Sequence, residues 1–349
     1  MNRKQGLLAA VVIIGFLFTL LPSEVLSQAK DSKVVRWKGQ GAFSGAAASA
    51  AGVTFGKWIE KRTGGRLVMN VEPPNTIVPV REMFPALSKG LLDFVGVYFS
   101  GYHGGMMPET EIETGLPLAW EYSDEVWDAY YQRGLLEKIR KVYAERNVFF
   151  LAPCPAGQFS QIMTTFPVKS LKDLKGKKIG AAGIVAEFIK LLGASPVNVP
   201  YPERYMALKL GTVDALLTGG SMLEDAKLKE LVTHFIMTPN VNSYSNSFLV
   251  NMKSWNALPD DIKKALNEET RYLVADQHSM LDGVAGRLAI AKAAKENKLK
   301  LVNLSDEEVE WLRSETINKV WNIAASKSSR CAELVELVKQ QMRDLGKLK

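Results

Sequence analysis

The sequence predicts an α/β protein of two similar lobes joined by a hinge, each lobe a mostly parallel sheet with crossover helices, followed by C-terminal helices. Three observations carry this expectation. Residues 166–220 read strand, helix, strand, helix, strand, which is the order of a parallel sheet with its crossovers. The pattern Ala-Leu-x-x-Gly-x-x-Asp, followed by apolar residues, occurs at 86–93 and again at 207–214. Two units of one plan at so long a separation point to paired lobes and not to a solenoid. A chain of 349 residues is also long for one core and comfortable for two.

The elements follow in order. Met1 to Lys4 is short and basic, residues 7–21 are apolar apart from Gly15 and Thr19, and Ser27-Gln28-Ala29 places small residues two apart. This is the pattern of a secretory signal peptide. It predicts removal of residues 1–29 and a periplasmic destination. Residues 34–38 alternate as a first strand, and the glycine-rich loop 39–45 leads into a helix over 46–63. Residues 67–71 form a second strand, 80–89 a helix and 91–99 a third strand. That strand runs into Tyr98, Phe99, Tyr102 and a group of glycines, residue types that suit a pocket wall at the end of a strand. Residues 108–120 carry Glu109, Glu111 and Glu113 and read as a solvated loop. Residues 124–146 read as one long amphipathic helix.

Residues 147–153 leave the first lobe through Pro153-Cys154-Pro155. The domain plan is therefore a first lobe over 30–152, a second over 153–251, and a return to the first over about 252–349. In the second lobe, Gln158, Ser160 and Gln161 sit near the start of a strand. Ligands of such sheets bind beyond the carboxyl ends of the strands. Those ends are Gly180 to Gly183 and Thr218 to Ser221. The candidate binding residues are accordingly Trp37, Gln40, Phe43, Tyr98, Tyr102, Gln158, Ser160, Gln161, Gly180, Thr218 and Tyr244.

Composition excludes several functions. The formal charge is +7, with Lys and Arg interleaved among Asp and Glu, so no basic stripe for nucleic acid stands out. Cys154 and Cys331 lie far apart and outside any CxxC pattern. Two isolated buried thiols are expected, although an oxidising compartment permits a disulfide. There is no GxSxG, HExxH, P-loop or dinucleotide fingerprint, and His103, His234 and His278 are scattered. No enzyme, cofactor or metal site is expected from these residues.

Residues 55–67 (FGKWIEKRTGGRL), 86–93, 167–179 (PVKSLKDLKGKKI), 193–197 and 203–214 (ERYMALKLGTVD) together resemble the periplasmic solute-binding proteins of tripartite ATP-independent periplasmic (TRAP) transporters. The resemblance spans nearly the whole mature chain. It implies a type II two-lobed fold that closes on a small organic solute and delivers it to transporter membrane subunits. It also implies an arginine directly after the Gly-x-x-Ile strand, forked onto a carboxylate. That place is Gly180 here. Some 2-oxo acid-binding relatives carry Glu and Trp where Leu217 and Thr218 stand. A ligand other than a simple C4-dicarboxylate or sialic acid is therefore expected, an organic acid or aromatic compound stacked on Trp37, Phe43, Tyr98, Tyr102 or Tyr244. A module presenting its solute to a sensor or enzyme is the alternative, and a secreted enzyme on the same scaffold a third. The C-terminal helices are compatible with monomer or dimer.

Overall fold

The computed structural model describes residues 33–43, 50–156, 160–241, 244–271, 275–296 and 299–348. The expected signal peptide lies outside them, as does Gln158. Eleven strands form two sheets among the described residues. In chain order they are β1 (Val35–Gly41), β2 (Leu67–Glu72), β3 (Phe94–Tyr98), β4 (Val148–Pro155), β5 (Ser160–Thr164), β6 (Lys178–Gly180), β7 (Ser195–Val197), β8 (Ala215–Gly219), β9 (His234–Thr238), β10 (Ser245–Asn251) and β11 (Lys300–Asn303).

The first sheet has the order β2-β1-β3-β10-β4, the second β11-β9-β5-β8-β6-β7. Read from β2 and from β7 the two sheets share one plan. Three parallel strands come first, then an antiparallel strand delivered from across the hinge. In the first sheet that strand is β10, in the second β5. The repeated Ala-Leu-x-x-Gly-x-x-Asp stretches fall at equivalent places, each a helix end followed by the turn into β3 or β8.

The strand exchange changes the expected partition of the chain. β10 lies within 153–251 but pairs with β3 and β4 of the first sheet. β11 lies within 252–349 but pairs with β9 of the second. In each case the strand satisfies the open backbone edge of a neighbour. Three connections cross between the sheets. The β4–β5 and β9–β10 connections run side by side, with Ala156 N–H on the Tyr244 carbonyl at 2.8 Å and Val241 N–H on the Ser160 carbonyl at 3.2 Å. The third runs from β10 to β11. The segment after Glu113 stays with the first sheet, linking β3 to β4, and reaches β10 where Ser245 N–H donates to the Thr114 carbonyl at 3.0 Å.

Two helical readings are corrected. Residues 124–146 hold two helices, Ser123–Tyr131 and Leu135–Ala144, because Gly134 between them has φ +81°. An α-helix cannot continue through that left-handed conformation. Residues 109–113 form a short helix whose three glutamates are all buried. Lys327 pairs with Glu111, and Ser328 Oγ donates to Glu109 at 3.3 Å. These partners lie some 200 residues downstream, out of reach of any local reading.

The C-terminal helices fasten the crossing region from behind. Trp321 Nε1 donates to the Pro117 carbonyl at 2.9 Å, and Trp120 Nε1 donates to Gln341 Oε1 at 2.8 Å. Both indoles are almost fully buried, where an indole N–H requires a partner. Trp321 and the helix Ser329–Asp344 share one core with Phe84 and Tyr143 of the first lobe and with Ile184 and Phe188 of the second. Cys154 and Cys331 are buried and unpaired.

Candidate functional site

A cleft of about 670 Å³, its open mouth included, lies between the two sheets. Phe43, Phe99, Tyr102 and Thr114 wall it from the first lobe, and Tyr244 from the β9–β10 connection. Ala181, Ala182 and Val185 follow β6, Ser160 begins β5, and Leu217 and Thr218 lie on β8. Val199 and Arg204 close the ring from the connection beyond β7. The site thus lies where parallel strands end, as the topology requires.

The aromatic walls are braced edge to face. Phe99 meets Tyr102 at 5.3 Å and 82°, and Tyr244 at 6.3 Å and 90°. Phe43 meets Tyr201 across the mouth at 4.8 Å and 82°. Backbone contacts tie the lobes at the same edge. Tyr201 N–H donates to the Tyr102 hydroxyl at 3.4 Å, and Arg81 Nη2 donates to the Asn198 carbonyl at 3.1 Å. The two lobes therefore stand in contact over the cleft. Burial raises the Tyr244 and Tyr201 hydroxyls well above the ordinary phenol range, so both are neutral hydrogen-bonding groups.

Of the residues expected from the sequence, Phe43, Tyr102, Ser160, Thr218 and Tyr244 are brought together here. Others are engaged elsewhere. Trp37 is in the core beneath the first sheet with Phe55 and Phe248. Tyr98 is fully buried in the larger core. Gln40 is spent on the backbone of the 73–79 turn: Nε2 donates to the Val78 carbonyl at 2.9 Å, and Oε1 accepts from Ile77 and Val78 N–H at 2.7 and 3.1 Å. Gln161 donates to the Met237 carbonyl. Gly180 is buried beside the cleft without lining it. A Cβ there would stand 2.3 Å from Leu216 Cδ2, so Leu216 occupies the space that a side chain at 180 would enter.

The lining residues not expected from the sequence are mostly apolar or small, and the one that carries charge is Arg204. Its Nη1 donates to Thr218 Oγ1 at 2.7 Å, and its Nε approaches the Val199 carbonyl at 3.5 Å. Its guanidinium carbon lies 5.7 Å from the centre of the Tyr201 ring. Among the described residues lining the cleft, Arg204 is the only charged side chain. One signal was present. Arg204 opens a helix, and a cation there opposes the helix dipole, so local structure gives no reason for it.

Immediately behind Thr114 is a buried carboxylate with no cation. Glu113 Oε1 accepts from Ser100 Oγ at 2.9 Å and from Ser247 Oγ, and Oε2 accepts from the Tyr143 hydroxyl at 2.7 Å. Burial raises its carboxyl to about 7, against the opposing pull of the three hydroxyls. Nearby His103, stacked on Phe84 at 4.2 Å, is pushed down to about 3 by burial and is neutral.

Comparison with known proteins agrees with this arrangement. The family of bacterial extracellular solute-binding proteins, family 7, matches over residues 45–327. A monocarboxylate 2-oxoacid-binding periplasmic protein of Nostoc is 27% identical over 277 residues, covering 75% of this chain and 73% of its own. A TRAP periplasmic solute-binding protein of Desulfovibrio salexigens with bound orotic acid superposes with TM-score 0.81 at 18% identity, covering 89% of this chain and 99% of its own. One from Chromohalobacter salexigens with bound (S)-2-amino-1-propanol gives TM-score 0.78 at 23% identity, over 90% and 97%. These likenesses carry the two-lobed type II binding fold. With its two strand-exchanged sheets and the cleft between them, the chain belongs to family 7 of the bacterial extracellular solute-binding proteins, the TRAP-type periplasmic binding proteins.

Proposed function

We propose that the chain holds one small organic solute in the cleft between its lobes and passes it to the membrane subunits of a TRAP transporter, after secretion on a cleaved signal peptide. The observation that carries this is the composition of the cleft. Each lobe supplies one wall, and the lobes meet at the mouth through Phe43, Tyr102 and Tyr201. A solute bound there touches both lobes and so stabilises the shut form over the open one. Similar proteins are named for 2-oxoacids, orotic acid and an amino alcohol, all small polar molecules. A C4-dicarboxylate or sialic acid remains disfavoured, now because the lining has a single cation.

Protein purified from the periplasm, unfolded and analysed by mass spectrometry, tests the reading together with calorimetry on the refolded chain. A small molecule released at near one equivalent, rebinding at micromolar concentration or tighter, is the expected result. Binding that survives filling the cleft by Ala181→Trp would sink it.

A further inference from the structure

The position of Arg204 says more than that a solute binds. We infer that Arg204, positioned by Thr218, selects the charge of the solute, and that the solute is a monocarboxylate carried on a flat ring. This rests on the cleft being the binding site.

A guanidinium has five N–H groups and no acceptor. In Arg204 the Nε–H faces the Val199 carbonyl and one Nη1–H goes to Thr218 Oγ1. The other three have no protein partner among the described residues. The side chain is half-buried, so these donors face the cleft with only part of their hydration left. A carboxylate offers two oxygens at the spacing of adjacent guanidinium N–H groups, and the pair is charge-assisted. An amide or alcohol offers at most one neutral acceptor.

Charge sets the number of carboxylates. No other cationic side chain among the described residues lines the cleft. A second carboxylate would be desolvated among Phe43, Phe99, Tyr102 and Tyr244 with no partner, and such an ion is excluded. Asp225 and Asp282 act on Tyr201 and Tyr244 from beyond the lining, which adds to the penalty for extra negative charge. The rings decide the rest. Phe99 packs nearly perpendicular to both Tyr102 and Tyr244, and three rings braced in this way form a rigid apolar wall suited to a flat guest. Ser160 lines the cleft with a neutral side chain, and Thr114, whose hydroxyl donates to the Glu111 carbonyl at 3.1 Å, keeps acceptor lone pairs for a ring substituent.

Arg204 differs in origin from a strand-borne cation. The strand position, Gly180, is sealed by Leu216, whereas Arg204 comes from the connection beyond β7 and is braced by Tyr201.

The test uses calorimetry with matched pairs, benzoate against benzamide, nicotinate against nicotinamide and orotate against its carboxamide, plus succinate. At least one acid binds, its amide binds 10-fold or more weakly, and succinate gives no heat. Arg204→Gln weakens the acid about 30- to 100-fold, the range of a lost hydrogen bond to a charged group, and narrows the acid–amide difference. Thr218→Val weakens it several-fold, and Thr218→Ser restores it, which a merely structural role for the methyl-bearing side chain would not produce. Amides binding as tightly as acids, tight succinate binding, or full acid affinity in folded Arg204→Gln would each overturn the inference while leaving the cleft reading intact. The wild-type acid–amide comparison holds even if a variant fails to fold. No heat from any compound, acid or amide, counts against both.

Discussion

Asp93 and Lys38 exchange two hydrogen bonds. The Asp93 carboxylate accepts the Lys38 backbone N–H at 2.8 Å, and the Asp93 N–H is returned to the Lys38 carbonyl at 2.8 Å. Asp214 and Lys178 repeat the exchange in the second sheet at the same two distances. The aspartate of each Ala-Leu-x-x-Gly-x-x-Asp stretch thus locks the start of a strand to its parallel neighbour. This explains why that residue type recurs at that spacing.

The two copies are not equal in worth. Asp93 also accepts from Ser254 Oγ at 2.5 Å, which ties the first sheet to the helix Met252–Asn256. Asp214→Ala should cost about 1–2 kcal/mol, and Asp93→Ala about 1 kcal/mol more, by the usual worth of hydrogen bonds to a carboxylate. Urea unfolding of the two variants measures the difference. Equal losses would show that the Ser254 bond contributes nothing.

Gly180 is a packing residue. A Cβ at this position would meet Leu216 Cδ2 at 2.3 Å, and Leu216 is fully buried on β8. Gly180→Arg should lower stability by about 1–3 kcal/mol, the ordinary cost of overpacking, and should confer no dicarboxylate binding. Gly180→Arg with Leu216→Ala should recover part of the loss. Thermal unfolding gives the order of the three proteins. A stable single variant that binds succinate would contradict the role assigned to Leu216.

Glu113 makes stability depend on pH. Its carboxyl is raised from the usual 4.5 to about 7 by burial. The folded state therefore holds a proton that the unfolded state releases, and stability falls as pH rises. The contribution is fully present below about 4.5 and is lost through about 7. The shift corresponds to about 3 kcal/mol. Urea midpoints at pH 5 and pH 8 should fall accordingly in the wild-type chain and much less in Glu113→Gln. Identical pH slopes in the two proteins would remove Glu113 as the cause.

The C-terminal tie admits a smaller test. Trp120→Phe deletes the donor to Gln341 Oε1 and leaves that buried oxygen unpaired. Gln341 also holds the Glu125 carbonyl at 2.7 Å through Nε2. A loss of about 1–3 kcal/mol is expected, read by chemical denaturation, with Trp120→Phe/Gln341→Leu destabilised further, because the Glu125 carbonyl and the Asp128 carboxylate then lose the Gln341 donor as well.

Much of the fold was legible in the order of residues. The paired Ala-Leu-x-x-Gly-x-x-Asp stretches announced two sheets of one plan. The position of the cleft followed from strand ends, which local patterns locate. Tyr102, Ser160 and Thr218 were reachable that way because each sits beside such an end. Trp37, Gln40 and Tyr98 satisfied the same local criteria but were drawn into cores or backbone contacts, since residue type near a strand end does not say which way a side chain is used.

By itself the sequence determined the class of fold, its internal duplication and the family, because periodicity and short motifs are local properties that survive without knowing contacts. Only the tertiary structure decided which strand completes each sheet, which glutamates are buried against residues 327 and 328, and which cation faces the cleft. Those depend on segments far apart in the chain meeting in space. Arg204 acquires its meaning only when β8 brings Thr218 to it and Leu216 closes the space beside Gly180.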